Sequence, residues 1–152
     1  MTDAKGPALT EFDLGAFTPY RIAVAAQRTS EELARQFRAR FGITIPEWRV
    51  LAHLAHAGAS VSVRDIEEHA AMEKSKVSRA ASRLEASGHI VKRMNETDRR
   101  LVRLELTTAG CALVEDLLPI ALAYQQEIET RLAEGFAAFE QGLTRLLQEP
   151  QA

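Results

Sequence analysis

Residues 73–84 have the sequence Glu73-Lys74-Ser75-Lys76-Val77-Ser78-Arg79-Ala80-Ala81-Ser82-Arg83-Leu84. Its apolar positions follow the i, i+3, i+4 and i+7 spacing of one helical face and are Val77, Ala80, Ala81 and Leu84. The segment therefore predicts an amphipathic helix whose hydroxyl and cationic side chains point mostly outward. Small alanines on the inner face allow close packing against neighbours, and Gly88 provides a C-terminal end.

A charged hairpin follows this helix. Two runs with strand character, residues 89–93 and 101–106, flank a polar turn that reads Asn95-Glu96-Thr97-Asp98-Arg99-Arg100. The second run alternates apolar and charged side chains, as a strand with one buried face does. The sequence therefore predicts a two-stranded ribbon whose tip projects into solvent.

Positive charge is concentrated in the helix and the ribbon. Residues 73–103 hold nine Lys and Arg against four Asp and Glu, a local charge of +5 in a chain whose net charge is −2. A basic patch confined to one supersecondary unit is expected of a protein that contacts phosphates there. The pattern favours binding of double-stranded DNA by this unit.

Helices are predicted on the N-terminal side of the basic unit. Residues 1–16 mix Gly, Pro, Asp and Thr without periodicity, which indicates a flexible N-terminal arm. Residues 17–42 predict a first helix, since Thr18 can cap it and Pro19 fits a first helical turn. This helix is expected to serve both dimerisation and contact with the rest of the chain.

Residues 43–106 are predicted to form one compact lobe. Thr44 and Glu47 have the spacing of a capping box, in which the carboxylate reaches back to the helix start, and they predict a second helix to about residue 57. Ser62 and Asp65 open a short third helix in the same way. The basic helix and the ribbon complete this lobe.

Residues 107–148 predict two long helices, with a kink at Pro119. Their apolar surface exceeds what the small lobe can cover, which indicates a subunit interface formed together with the first helix. We therefore expect a mainly α fold with a small β-wing, in which the long N- and C-terminal helices form a dimerisation domain.

Composition limits the functional classes. With 152 residues and 46% hydrophobic content the chain can bury a core. The single Cys111 cannot form an internal disulfide and is expected to be a buried small apolar residue. No segment approaches the roughly 18 apolar residues of a membrane span, and there is no signal-peptide pattern, so we expect a cytoplasmic protein without a membrane partner. No phosphate loop or nucleophile motif predicts an enzyme, and no cofactor is implied.

The order of elements resembles that of the MarR family of winged helix-turn-helix transcription regulators of bacteria and archaea. The resemblance covers nearly the whole chain and is carried by Ile43-Thr44-Ile45-Pro46-Glu47-Trp48-Arg49-Val50-Leu51, by Lys74-Ser75-Lys76-Val77-Ser78-Arg79 with Arg83-Leu84-Glu85, and by Asp98-Arg99-Arg100 followed by Leu106-Thr107. The second of these looks like the family's recognition helix and the third like its wing. The basic helix is therefore called the recognition helix, and the ribbon is called the wing.

The resemblance implies that the recognition helix reads DNA in the major groove through Lys74, Ser75, Lys76, Ser78, Arg79 and Arg83. Arginine can bridge guanine O6 and N7, and hydroxyls can reach bases or phosphate oxygens. At the wing, Asp98 can orient Arg100 by an ion pair while Arg99 faces phosphate, and the resemblance places the arginine of this motif in the minor groove. The alternatives are a solvated helix face and an exposed salt bridge that serves only the turn.

The resemblance further implies a homodimeric repressor of a pseudo-palindromic operator that responds to a small effector, anionic, phenolic or otherwise aromatic. The side chains predicted to line an effector site are Tyr20, Arg21, Arg28, Trp48 and His53, although Trp48 also suits the core. Two alternatives stay open. One is a winged-helix module that binds an acidic protein partner, and the other is a metal-responsive regulator that uses His53 and His56.

Overall fold

A computed structural model describes residues 11–94, 96–98 and 101–150. The fold is mainly helical with a small three-stranded antiparallel sheet. The helices are α1 (Thr18–Phe41), α2 (Ile45–Ala57), α3 (Val63–His69), α4 (Lys74–Ala86), α5 (Thr108–Leu132) and α6 (Phe136–Leu147). The strands are β1 (Val61–Ser62), β2 (Ile90–Met94) and β3 (Val102–Leu106), and 3₁₀ turns occupy Leu14–Ala16 and Ala133–Gly135. Within the described part, no helix is both long and apolar enough to cross a membrane.

Helix α1 begins at Thr18, one residue earlier than a cap at Thr18 predicts. Phe17 is the N-cap residue and makes no side-chain capping bond, so the predicted Thr18 cap is wrong. The backbone amide of Arg21 bonds to the carbonyl of Phe17 at 3.1 Å, which draws Thr18 into the first turn. Pro19 remains compatible because amides of the first turn need no partner within the helix. Gly42, at φ 65°, ends the helix in the left-handed conformation that glycine tolerates best.

Thr44 and Glu47 cap the first turn of α2, as predicted, but the hydrogen bond of the Glu47 carboxylate differs from the predicted one. The Thr44 hydroxyl accepts from the Glu47 amide at 3.3 Å and donates to the Glu47 carboxylate at 3.0 Å. The carboxylate is thus held by the hydroxyl, whereas a capping box would direct it to the backbone amide of the cap. Ser62 caps α3 through the amide of Asp65 at 3.1 Å, as predicted.

The sheet has three strands, so the predicted two-stranded ribbon is incomplete. Strand β3 lies in the middle and pairs antiparallel with both β1 and β2. Strand β1 is only two residues long, Val61–Ser62, which is too short to show the period-2 alternation that identifies a strand in a sequence. Its pairing with Leu104 and Arg103 attaches the wing to the entrance of α3.

One hydrophobic core joins the helices to the sheet. The largest fully buried side chains come from α1 to α5 and from both long strands, and are Phe37, Leu51, Leu54, Ile66, Leu84, Ile90, Leu104, Leu117, Val50 and Val77. Each such aliphatic or aromatic side chain contributes about 1.5–3 kcal/mol on burial. The four predicted inner positions of α4, which are Val77, Ala80, Ala81 and Leu84, are all buried. The outer face of α4 is therefore fixed by the core.

Helix α5 starts at a tight junction with the sheet. Thr107 caps the helix through the amide of Gly110 at 3.0 Å, and its own hydroxyl donates to the carbonyl of Gly88 at 2.6 Å. Gly110 is buried against the backbone of His89, which leaves no room for a Cβ atom. This contact fixes the rotation of α5 and turns Cys111 outward, so the predicted burial of Cys111 is wrong for the single chain.

The C-terminal helices leave apolar side chains uncovered. Helix α5 continues through Pro119 to Leu132, and none of the residues of α6 is buried. Exposed large apolar residues of these two helices are Leu118, Leu122, Phe139, Leu146 and Leu147. Others lie in or just before α1 and are Phe12, Leu14, Phe17, Tyr20, Ile22 and Phe41.

Candidate nucleic-acid interface

The exposed face of α4 carries the side chains predicted to contact DNA. The core takes the four inner positions of the helix, so the other positions lie in solvent. Exposed residues of this face are Lys74, Ser75, Lys76, Ser78, Arg79 and Arg83. The helix has no side-chain cap at Glu73, and the amide of Lys76 bonds instead to the Glu73 carbonyl at 3.0 Å. The N-terminal amides are thus less enclosed than in a helix with a capping hydroxyl.

Cations of the basic segment differ in how they are paired. Within the described ranges, Lys74, Lys76 and Arg79 have no carboxylate within 4.0 Å, although Arg79 donates to the carbonyl of Ser75 in its own helix at 3.3 Å. Arg83 lies 4.0 Å from Glu47 and remains 67% exposed. An ion pair at this distance and exposure is worth at most about 1 kcal/mol, so it does not prevent contact with a phosphate.

The cations of the sheet are engaged with neighbouring protein groups. Lys92 lies 3.8 Å from Glu85 and donates to Ser82 at 3.3 Å, and Arg93 bonds to Glu105 at 2.8 Å. Four described cations of the segment have no carboxylate within 4.0 Å, and three of them, Lys74, Lys76 and Arg79, lie on α4, while the fourth is Arg103 of β3. This is the distribution expected of a helix that meets a polyanion.

A groove of about 550 Å³ separates the recognition helix from the wing. Lys74 and Ser78 of α4 face it from one side, and Asp98 of the wing tip faces it from the other. Asp98 also accepts the backbone amide of Leu101 through its carbonyl at 3.0 Å, which turns the chain at the tip. Arg99 and Arg100, the other two predicted wing residues, lie outside the described residues.

Two further cations line the same groove and were not predicted as site residues. Arg64 extends from the first turn of α3, and Lys92 extends from β2. Sequence position alone does not place either beside α4, because α3 and β2 reach the groove only through tertiary packing. The rest of its lining includes Ser62, Val63, Glu67, Ala81, Leu101 and Val102.

The predicted effector residues are spread over two helices. Tyr20, Arg21 and Arg28 are exposed on α1, whereas Trp48 is half-buried on α2 with its ring 5.0 Å from that of Phe37. His53 is half-buried on α2, and burial together with the nearby His69 and His56 holds its pKa below the ordinary value. None of these five side chains lines the wing groove, the cleft beside Glu32 and Tyr124 between α1 and α5, or a third depression formed by residues 145–150.

The described part of the chain contains no group of three His, Cys, Asp or Glu side chains placed to hold a metal ion. His53 and His56 accordingly gather no third ligand there. His69 is turned towards its own helix, since its Nδ1 lies 2.8 Å from the carbonyl of Asp65.

A polar cluster links α1 to α5 on the side away from the wing. The carboxylate of Glu32 accepts bonds from Tyr124 at 2.7 Å and from Arg131 at 3.0 Å. The Tyr124 bond, with Arg131 beside it, lowers the pKa of Glu32 despite partial burial. Burial and the Glu32 carboxylate raise the pKa of Tyr124 to about 12. An open cleft of about 470 Å³ runs past this cluster, with Arg35, Gln36, Ala39 and Glu127 on its walls.

The arrangement of α3, α4 and the sheet agrees with comparisons to known proteins. A family model described as "MarR family" matches residues 41–101, which span α2 to the wing tip. The fold matches the MarR family transcriptional regulator SPO1453 from Silicibacter pomeroyi DSS-3 at 28% identity and a TM-score of 0.74, over 90% of this chain and 96% of that chain. Over residues 41–101 the chain matches the MarR family model, and its fold is similar to that of a MarR family regulator.

The chain is also similar to proteins whose role is stated. The HTH-type transcriptional repressor IacR of Pseudomonas putida is 25% identical over 143 residues, which cover 93% of this chain and 82% of the relative. A variant of MarR from E. coli in complex with operator DNA has a TM-score of 0.76 at 22% identity, over 91% of this chain and 100% of that chain. BpsR of Bordetella bronchiseptica, whose DNA binding is regulated by 6-hydroxynicotinic acid, has a TM-score of 0.71 at 23% identity, over 84% and 99%.

The matched segment and the fold support a MarR-type DNA-binding transcription regulator, in which α3 and α4 form the helix-turn-helix. The expected fold class, mainly helical with a winged helix-turn-helix lobe and long terminal helices, is confirmed.

Proposed function

We propose that this MarR-type regulator is a homodimer that represses transcription from a pseudo-palindromic operator and is released by a small aromatic or anionic ligand. The observation that carries the DNA part is the exposed face of α4, where Lys74, Lys76 and Arg79 have no carboxylate partner in the described ranges. Such cations need no rearrangement of ion pairs to meet phosphates or bases.

The uncovered apolar surface supports the homodimer. Helix α6 has no buried residue, and Leu122 and Leu147 are 61% and 83% exposed. Monomeric proteins rarely expose contiguous apolar patches of this kind, and a second copy of the same helices would cover them by two-fold symmetry. The terminal helices thus form the dimerisation domain of the proposed assembly.

A two-fold dimer determines how the protein meets DNA. Two recognition helices enter successive major grooves, with half-site centres about 34 Å apart. The two wings then flank them, with Arg100 proposed to reach the minor groove and Arg99 proposed to face phosphate. Each phosphate contact that releases a counterion makes the slope of log affinity against log salt steeper by about 0.9.

Repression and effector release are supported by two relatives. IacR is a repressor, and BpsR is regulated in its DNA binding by 6-hydroxynicotinic acid, a small aromatic compound. A ligand can release DNA only if it binds one arrangement of the two lobes better than another. Tyr20, Arg21, Arg28, Trp48 and His53 remain the proposed lining of that site.

DNA titrations with matched variants test the DNA-binding proposal. The wild-type protein should bind DNA from upstream of its own gene far better than a random duplex of equal length. Arg79→Ala should weaken this binding by about tenfold or more, because a bidentate contact to guanine is worth about 1–3 kcal/mol. Arg145→Ala removes the same charge from α6 and should have little effect. Equal binding of both duplexes by the wild type would favour a protein-interaction module instead.

The chain's single tryptophan offers a test of the effector site. Titration with 6-hydroxynicotinic acid should change the fluorescence of Trp48 and release operator DNA over the same concentration range. Phenol, which is uncharged at neutral pH, serves as the comparison for the requirement of a carboxylate. A change in fluorescence without release of DNA would contradict the proposed coupling.

A further inference from the structure

Arg103 makes an unusual contact for a cation in a DNA-binding segment. Its Nε donates to the hydroxyl of Ser60 at 2.8 Å, and its Nη2 donates to the carbonyl of the same residue at 2.7 Å. Ser60 lies between α2 and β1, 43 residues earlier in the chain. Both residues are half-buried. One guanidinium therefore ties the central strand of the sheet to the loop that leads into the helix-turn-helix.

The surroundings show why this side chain is committed to Ser60. Arg93 lies directly opposite Arg103 in the register of β2 and β3, so two cations share one face of the sheet. Arg93 is neutralised by Glu105 at 2.8 Å, whereas no carboxylate of the described residues lies within 4.0 Å of Arg103. Like charges opposite each other destabilise a strand pair. The two oxygens of Ser60 hold the Arg103 guanidinium in place despite this repulsion.

We propose that Arg103 is a positioning residue that sets the angle of the wing relative to the recognition helix and makes no contact with phosphate itself. This inference rests on the DNA-binding function proposed above. Strand β1, to which β3 also pairs, is only two residues long and provides few backbone bonds. The side-chain bonds of Arg103 therefore form a large part of the connection at this edge of the sheet.

The chemistry of arginine accounts for the choice of residue. Its planar guanidinium presents donors in a fixed fork, so that two acceptors of one residue can be held at once. A lysine carries the same charge but offers one flexible ammonium group, which cannot reproduce the paired geometry. Arg103→Lys therefore loosens the wing without changing the charge of the protein.

DNA binding by matched variants distinguishes positioning from phosphate contact. Arg103→Lys should bind operator at least about fivefold more weakly than wild type, and Arg93→Lys, the control on the opposite strand, should change it less than twofold. Arg103→Gln should leave the salt slope of log affinity unchanged. A slope shallower by about 0.9 would instead mark Arg103 as a phosphate contact and overturn the proposal.

A second DNA measurement separates wing placement from general loss of stability. Base-pair changes at the flanking minor-groove positions should weaken binding by wild type but have less effect on Arg103→Lys, because its wing is no longer held in place. Changes at the central major-groove positions should affect both proteins equally. Loss of discrimination at both kinds of position would indicate a merely destabilised lobe and would contradict the proposal.

Hydrogen exchange on the DNA-free protein tests the positioning role of Arg103 independently of DNA binding. Arg103→Lys should accelerate exchange of the amides of β2 and β3, and Ser60→Ala, which keeps the carbonyl acceptor, should do so to a smaller degree. The amides of α6 are the internal reference. Unchanged exchange in the sheet would overturn the positioning role, whereas failure of the wild type to select any DNA would overturn only the proposed function.

Discussion

The phenol hydroxyl of Tyr124 donates a 2.7 Å hydrogen bond to Oε2 of Glu32, a residue that lies 92 positions earlier in the chain. Arg131 adds an ion pair to the same carboxylate at 3.0 Å. Helices α1 and α5, which carry much of the proposed subunit interface, are thereby joined by a specific polar contact as well as by the core. Apolar packing alone allows two helices to slide, whereas a directional bond fixes their relative register.

Removal of the Tyr124 hydroxyl should destabilise the protein. We expect Tyr124→Phe to lower the free energy of unfolding by about 1 kcal/mol, because the ring stays buried and one hydrogen bond is lost. Urea titration followed by circular dichroism measures the change. Tyr20→Phe is the matched control, since Tyr20 is 45% exposed, and it should leave the midpoint unchanged. Equal midpoints for wild type and Tyr124→Phe would contradict a stabilising role for the bond.

The same pair predicts the response of stability to pH. The pKa of Glu32 is lowered from 4.5 in the folded state, so its contribution is complete above that value and is lost as the pH falls through the folded-state pKa. The pKa of Tyr124 is raised from 10.0 to about 12, so its contribution is complete below pH 10.0 and is lost as the pH rises towards 12. Urea titrations across pH should therefore show a weaker acid dependence in Glu32→Gln than in wild type. Parallel acid profiles would contradict this assignment.

Two glycines in the C-terminal helices should respond oppositely to alanine. A Cβ atom at Gly110 would collide with the carbonyl oxygen of His89, so Gly110→Ala should cost about 3 kcal/mol by forcing α5 away from the sheet. Gly142 of α6 has no atom within 4 Å of such a Cβ, so Gly142→Ala should stabilise the protein by about 0.5–1 kcal/mol. Thermal unfolding of the two variants checks both signs. A neutral Gly110→Ala variant would show that the junction is not tightly packed.

A charge in the apolar face of α5 should dissociate the proposed homodimer. Leu122 is 61% exposed, and Leu122→Asp would bury a carboxylate against the partner subunit without disturbing the core of its own chain. Sedimentation velocity should show a dimer dissociation constant raised by about 100-fold or more, with unchanged circular dichroism. Met94→Asp, at a residue 60% exposed on the wing, is the control and should remain dimeric.

Arg64 should behave as a phosphate contact, in contrast to Arg103. It is exposed in the first turn of α3 and lines the groove between the recognition helix and the wing. Arg64→Ala should therefore weaken binding to all DNA sequences to a similar degree and make the salt slope shallower by about 0.9. Arg40→Ala, which removes an exposed cation of α1, is the control. A change in base preference without a change in slope would assign Arg64 a different role.

The parts of the fold that repeat regularly in sequence could be predicted. The sequence predicts each of the four inner residues of α4, because an amphipathic helix repeats its buried positions with a fixed period. Strand β1 could not be predicted, since two residues carry no period and pair only because β3 lies beside them in three dimensions. The prediction that Cys111 is buried is wrong for a related reason. The close approach of Gly110 to His89, a tertiary contact, determines which side of α5 faces the core.

In the candidate site, too, some residues could be predicted from local sequence and others could not. Local helical geometry was sufficient to place the exposed side chains of α4, such as Lys76 and Arg79. The local sequence contains no signal that brings Arg64 and Lys92 to the groove, or that commits Arg103 to Ser60, because these depend on contacts between distant segments. The proposed roles of Arg99 and Arg100 stay predictions from sequence, as both lie outside the described residues.

The junction of Thr107, Gly88 and Gly110 has a mechanical consequence. Hydrogen bonds and a close backbone contact join the end of β3, the residues just before β2 and the first turn of α5 at this point. No flexible loop separates the sheet from the helix. A rotation of α5 should consequently turn the whole DNA-binding lobe as a rigid body, without bending the wing relative to the recognition helix. An effector would then act by changing the distance between the two lobes of the proposed dimer.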